Sequence, residues 1–182
     1  WDPRSIWLFH AKRIFYDYSI YSVADNYFQL SHNDYPSLAP AFASSFALVL
    51  GKWNEVFPKT AFLFMFIPPL ILVYVFLKDA LYIIFLNIIF FIIGKYLFSG
   101  WMDGLLAVYF GISAFIFYVL FISEDNIHKE NKILYLIALC FFTMLTLIKN
   151  EGIVLLLILF LSTFLILFYR DKVRNNLNKL IF

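Results

Sequence analysis

The ionisable residues of this 182-residue chain that could do chemistry fall in four short stretches, "WDPRS", "HNDYP", "WMDG" and "IKNEG". In the first, Asp2 precedes Pro3, a good helix start in which Asp caps and Pro takes the first helical position. The same carboxylate, held just above a membrane, could accept a proton from a hydroxyl. In the second, His32 and Asp34 are of the types that ligate a divalent metal ion, but supply two ligands where three or four are needed. They read more readily as an ordinary loop with an Asp near a helix start. Asp103 stands at the mouth of a long apolar run. The helix dipole alone favours an acid there, and a boundary beside Trp101 is also where a functional carboxylate would sit. Lys149 and Glu151 lie between two apolar runs with almost no loop. Either they neutralise each other in a tight turn closed by Gly152, or Lys149 is held at headgroup depth to meet a phosphate. Lys95 can snorkel to the same level.

The elements that must position these residues follow from composition. The chain is 63% hydrophobic, 22% aromatic and only 14% charged, with mean hydropathy +0.84. A soluble domain carries roughly 25% charged residues, so this chain cannot cover itself with polar surface and its solvent is expected to be lipid. The net charge of +2 forms no basic stripe, which argues against nucleic acid as a partner. The single Cys140 lies in an apolar run and can form no intramolecular disulfide.

A spanning helix needs about 20 mostly apolar residues. Five stretches qualify or nearly so: 60–77, 80–98, 104–122, 133–148 and 152–169. Pro68 and Pro69 should kink the first, because they remove backbone donors. A sixth stretch, 37–51, is short, rich in Ala and Ser and interrupted by Pro40. It reads as a helix lying in or dipping into the interface. The expected fold is therefore an all-α polytopic membrane protein: an extracytoplasmic loop with juxtamembrane helices over 1–59, a bundle of about five spans over 60–170, and a cytoplasmic tail over 171–182. The opening has no initiator Met and reads as an amphipathic helix from within something longer. Ile6, Trp7, Ile14 and Phe15 should face lipid or protein, and Arg4, Lys12, Arg13 and Asp17 water or headgroups.

Orientation hinges on 37–51. If it does not cross, Lys78, Lys129, Lys132, Arg170, Lys172, Arg174 and Lys179 share one side, which the positive-inside rule would make cytoplasmic, although Arg4, Lys12, Arg13, Lys52 and Lys59 on the other side keep the bias small. Asp2, His32, Asp34, Asp103, Lys149 and Glu151 then share the other. If it crosses, Asp103 and Lys149 lie opposite Asp2 and no single polar site exists. No Gly-rich phosphate loop, zinc spacing, Ser-His-Asp order or nucleotide fingerprint appears.

Taken together, "WDPRSIWLFHAKRIF", "HNDYPSLAPAFAS", "WMDGLLAVYFG" and "LTLIKNEGIVL" resemble successive landmarks of the GT-C membrane glycosyltransferases. That family includes protein O-mannosyltransferases and the lipid A aminoarabinose transferase. Asp2 is similar to the family's first catalytic acid, Tyr35-Pro36 to its juxtamembrane helix, Asp103 to its second acid, and Lys149 with Gly152 to its later turn. Where the family carries a tandem acid, this chain has Asp2 followed by Pro3. The resemblance implies spans before and after this chain, which would make it an internal fragment.

The resemblance further implies inverting transfer of a sugar from a polyprenyl-phosphate donor to a hydroxyl of a lipid, glycan or protein acceptor. The site would face outward from a prokaryotic cytoplasmic membrane. Asp2 would act as general base, and Lys149, helped by Arg4 or Lys95, would stabilise the departing phosphate. Asp103 would orient the acceptor or a divalent metal ion, and His32, Asp34 and Glu151 would line the acceptor or loop site. The rival readings are a transporter, with Asp103 and Lys149 along a substrate path, and a non-catalytic membrane subunit. A transporter usually places polar groups near the bilayer middle, whereas here they cluster at one interface.

Overall fold

The computed structural model describes residues 3–20, 27, 31–77, 84, 88, 92, 101–122 and 132–181, with the backbone alone over 171–181. Among the described residues every regular element is helical. A π-helical turn, Pro3–Trp7, runs into α1 (Leu8–Asp17). Then follow α2 (Leu38–Leu50), α3 (Phe57–Phe64) and α4 (Ile67–Leu77). The chain continues with α5 (Met102–Phe117), extended by a π-helical turn over Tyr118–Ile122, then α6 (Lys132–Ile148) and α7 (Glu151–Ile181).

The amphipathic pattern of the opening segment has a protein partner. Ile6, Trp7, Leu8, Ala11, Ile14 and Phe15 are buried, while Arg4, Lys12, Arg13 and Asp17 are exposed. The buried stripe rests on α2, whose Ala39, Ala43 and Ala47 recur every fourth residue and are fully buried. Small side chains at that spacing let two helices approach closely. Pro40 sits in the first turn of α2, where a missing N–H costs nothing. Gly51 ends the helix at φ 67, a left-handed cap that glycine adopts freely.

α2 has 13 residues, a rise of about 20 Å against a hydrocarbon core of about 30 Å. It is too short to cross and packs alongside α3 instead. The Phe46 ring lies 5.8 Å from that of Phe57 and 5.2 Å from that of Phe64.

Among the described residues three helices are long and apolar enough to cross a membrane: Phe57–Phe76, Met102–Ile122 and Glu151–Arg170. They correspond to the expected spans 60–77, 104–122 and 152–169. The expected span 133–148 is the 17-residue apolar helix α6, at about 26 Å slightly short of the core thickness. The expected span 80–98 lies outside the described residues except Ile84, Ile88 and Ile92, which are helical. Residues 171–181, expected as a tail, continue α7.

The first span is broken at Met65 and Phe66, between α3 and α4, just before Pro68 and Pro69. Pro69 has no N–H to give the Met65 carbonyl four residues back. The Tyr109 hydroxyl of α5 supplies the missing donor, at 2.8 Å. A neighbouring helix thus satisfies a backbone group that lipid could not.

Aromatic contacts join the remaining helices. Phe117 of α5 stacks on Phe142 of α6 at 4.6 Å and meets Phe160 of α7 edge-on at 4.8 Å. The long helices run between two well-separated ends. At one end the Arg170 guanidinium donates to the Ile122 carbonyl at 2.9 Å. At the other end lie the start of α5, the α6–α7 turn and the segment before α2.

Candidate functional site

The α6–α7 connection consists of Lys149 and Asn150. It is closed by the Gly152 N–H to the Lys149 carbonyl (2.9 Å) and the Ile153 N–H to the Asn150 carbonyl (3.1 Å). Glycine is required at 152, because a Cβ there would run into the Leu145 carbonyl. From this turn the Lys149 side chain reaches across the end of the bundle to α5. Its ammonium meets Asp103 Oδ1 at 2.8 Å and Glu151 Oε1 at 3.3 Å. The Lys149 side chain is 17% exposed and that of Asp103 61%. The cation is therefore held within the site and the carboxylate on its rim, in the first turn of α5 where the helix dipole favours it.

The third wall is residues 31–36. His10, fully buried on α1, donates from Nε2 to the Ser31 carbonyl at 2.7 Å and pins the segment to the opening helix. His32 adopts φ 52, and its carbonyl accepts from the Tyr35 N–H at 3.1 Å, a turn that folds Tyr35 back. The Tyr35 ring is sandwiched between Trp7 (5.4 Å, 15°) and His32 (4.7 Å, 13°). Its hydroxyl donates to Glu151 Oε1 at 3.3 Å. The Asn150 amide donates to both the carbonyl and Oδ2 of Asp34, at 3.1 and 2.9 Å. Two segments 116 positions apart are thus tied at two points.

These walls enclose a cleft of about 90 Å³, with Ile6, Trp7 and Met102 as its apolar part and His32, Tyr35, Asp103 and Lys149 as its polar part. Pockets that enclose whole ligands run to about 300–1,000 Å³, so this one suits a headgroup-sized moiety. Burial alone would lower the Lys149 pKa. The hydrogen bond and charge of Asp103, with Tyr35 and Glu151, outweigh it, and the pKa is raised from 10.5. Burial raises the Tyr35 pKa from 10.0, and Glu151 and Asp34 add to that while Lys149 opposes it. At neutral pH the cleft therefore presents one ammonium and one phenolic O–H.

Of the residues singled out in the sequence, the structure brings His32, Asp34, Asp103, Lys149 and Glu151 together. Arg4 does not join them. Its guanidinium pairs with Glu55 at 3.3 Å on exposed surface, so its expected help to Lys149 has no geometric counterpart. Asp2 and Lys95 lie outside the described residues. Sequence reasoning missed the parts played by Tyr35, Trp7 and Asn150. Tyr35 enters the sequence reading only with Pro36, as a mark of the juxtamembrane helix.

The described residues do not fit a metal ion. Among them no group of three His, Cys, Asp or Glu side chains could hold one. His32 Nδ1 and Asp34 Oδ1 are 3.8 Å apart, the other Asp34 oxygen accepts from Asn150, and Asp103 is taken by Lys149. Comparison with family models, curated proteins and solved structures finds no match to this chain.

Proposed function

We propose that this chain is part of a membrane glycosyltransferase of the GT-C type, which transfers a sugar from a polyprenyl-phosphate donor to an acceptor hydroxyl at the extracytoplasmic face. The observation that carries the reading is the shielded Lys149 ammonium, 2.8 Å from Asp103, in a small cleft at one end of three potential spans. A cation at that depth suits a lipid phosphate whose chain lies between the helices.

In the reaction the acceptor hydroxyl gives its proton to the Asp2 carboxylate. Its oxygen bonds to the anomeric carbon as the bond from that carbon to the phosphate oxygen breaks, with inversion. The electron pair leaves with the phosphate, and Lys149 meets the added charge where it develops, a contribution of roughly 10²- to 10³-fold for a well-placed donor. Asp103 holds Lys149 and accepts from acceptor hydroxyls. His32 and Asp34 line the acceptor side.

The proposed outward orientation rests on the basic residues at the opposite ends of the helices, Lys132 and Arg170 among them, against Arg4, Lys12, Arg13, Lys52 and Lys59 on the site's side. A transporter would be expected to carry charge near the bilayer middle. In the three described spans the charged residues Lys59, Asp103, Glu151 and Arg170 all stand near the ends.

The test is transfer from a panel of radiolabelled polyprenyl-phosphate hexoses by the protein in its native membrane. The reading expects transfer from one of them, lost in Asp2→Asn and reduced at least a hundredfold in Lys149→Gln. Wild-type rates in Asp2→Asn would refute the base assignment. Wild-type rates in Lys149→Gln would refute the phosphate assignment.

A further inference from the structure

One carboxylate oxygen, Glu151 Oε1, accepts from the Tyr35 hydroxyl and pairs with the Lys149 ammonium, each at 3.3 Å. The two donors converge, with the Lys149 ammonium 5.6 Å from the centre of the Tyr35 ring. Both are held from behind. Tyr35 is fixed between Trp7 and His32, and Lys149 is fixed by Asp103 and the glycine-closed turn. Glu151 is different: it stands on the first turn of α7, and half of its side chain is exposed. A rigid pair of donors is therefore filled by an anionic oxygen on a side chain free to withdraw into water.

We infer that Tyr35 and Lys149 form a two-donor site for a phosphate oxygen, and that Glu151 is an internal stand-in which the phosphate displaces. The inference rests on the reading of Lys149 as a phosphate-binding residue and adds Tyr35 to it. Charge supports the competition. With Glu151 in place, Lys149 is flanked by two carboxylates, and an incoming phosphate is repelled. With Glu151 withdrawn one negative charge leaves, and both donors point at the vacated position. Occupancy by Glu151 keeps the ammonium and the phenol paired until a phosphate monoester arrives, which brings roughly −1.5 to −2 of charge and three acceptor oxygens where the carboxylate brings −1 and two. Tyr35 is a binding and positioning residue in this scheme and takes no proton.

The experiment measures binding to the protein in nanodiscs of zwitterionic lipid. The probes are a polyprenyl monophosphate, the matching polyprenol and inorganic phosphate, with no sugar or acceptor present. Glu151→Gln, with Glu151→Ser as a second variant, is expected to bind the polyprenyl monophosphate about tenfold more tightly than the parent and the polyprenol no differently. Adding Tyr35→Phe to Glu151→Gln should return several-fold of that gain. The same gain for inorganic phosphate at equal affinity would support the anion site and assign it to soluble phosphate. Unchanged or weaker monophosphate binding in both Glu151 variants would overturn the inference. Because nothing is transferred, binding that behaves as expected in a protein without transferase activity would leave this site standing while the enzymatic reading fell.

Discussion

Lys149 and Asp103, 46 positions apart, meet at 2.8 Å and tie the α6–α7 turn to the first turn of α5. The pair is next to residues 32–35, from which α2, α3 and α4 separate Asp103 in the sequence. Had α2 crossed the membrane, those residues would lie at the opposite end of the spans. Its 13 residues do not reach across, and Asn150 instead bonds Asp34 directly.

The pair should matter more to chemistry than to stability. Asp103 is mostly exposed, and exposed ion pairs contribute about 0–1 kcal/mol. Asp103→Asn is therefore expected to change detergent-resistant unfolding by less than about 1 kcal/mol while lowering sugar transfer about a hundredfold. Measuring both on one preparation checks this. A large stability loss with unchanged transfer would make the pair structural.

Tyr109 should behave in the opposite way. It is buried on α5 about two turns below the cleft, which it does not line, and its hydroxyl serves the carbonyl that Pro69 leaves unpartnered. Tyr109→Phe is expected to cost about 1 kcal/mol of stability without altering ligand binding. In a Pro69→Ala background, which restores the N–H, the cost should shrink. Equal costs in both backgrounds would mean that the hydroxyl does not act through the proline break.

The turn that aims Lys149 depends on Gly152. Gly152→Ala places a methyl against the Leu145 carbonyl, a backbone atom that cannot swing aside. The expected loss is about 2–3 kcal/mol, with phosphate binding lost in parallel because the ammonium is re-aimed. Unfolding in detergent with and without a polyprenyl phosphate reads both effects.

The contributions of Lys149 and Tyr35 should be insensitive to pH until the alkaline range. Lys149 and Tyr35 both bind their protons more tightly in the folded protein than the ordinary 10.5 and 10.0. Their stabilising contribution is therefore complete below the unfolded values and is lost as pH rises through the raised ones. The stability difference between the parent and Lys149→Gln is expected to stay constant through the neutral range and to shrink above about pH 10. A difference that collapsed near neutrality would place the cluster's titration on another group.

Much of this was legible in the residues. Apolar runs marked three spans among the described residues to within three residues at either end, because in lipid the length of the run is the structural signal. The proline pair marked the break. The polar gathering was legible only conditionally, since it turned on whether 37–51 could cross. What could not be read was lateral. Nothing local in "HNDYP" says that Tyr35 stacks between Trp7 and His32 or shares an oxygen with Lys149, because those contacts form between segments distant in sequence. Arg4 shows the converse, a basic residue in a suggestive place whose partner, Glu55, lies in a loop that carried no signal.

The most direct test of the account is which side of the membrane its polar residues occupy. Single cysteines replacing Asp34, Asp103 and Glu151, all exposed side chains, are introduced in a Cys140→Ser background. Intact cells are then treated with a membrane-impermeant thiol reagent. The account predicts that all three label from outside, to the same extent before and after lysis. Labelling of Asp103→Cys or Glu151→Cys only after lysis, with Asp34→Cys labelled from outside, would contradict it, because the residues of one cleft cannot lie on two sides of a bilayer.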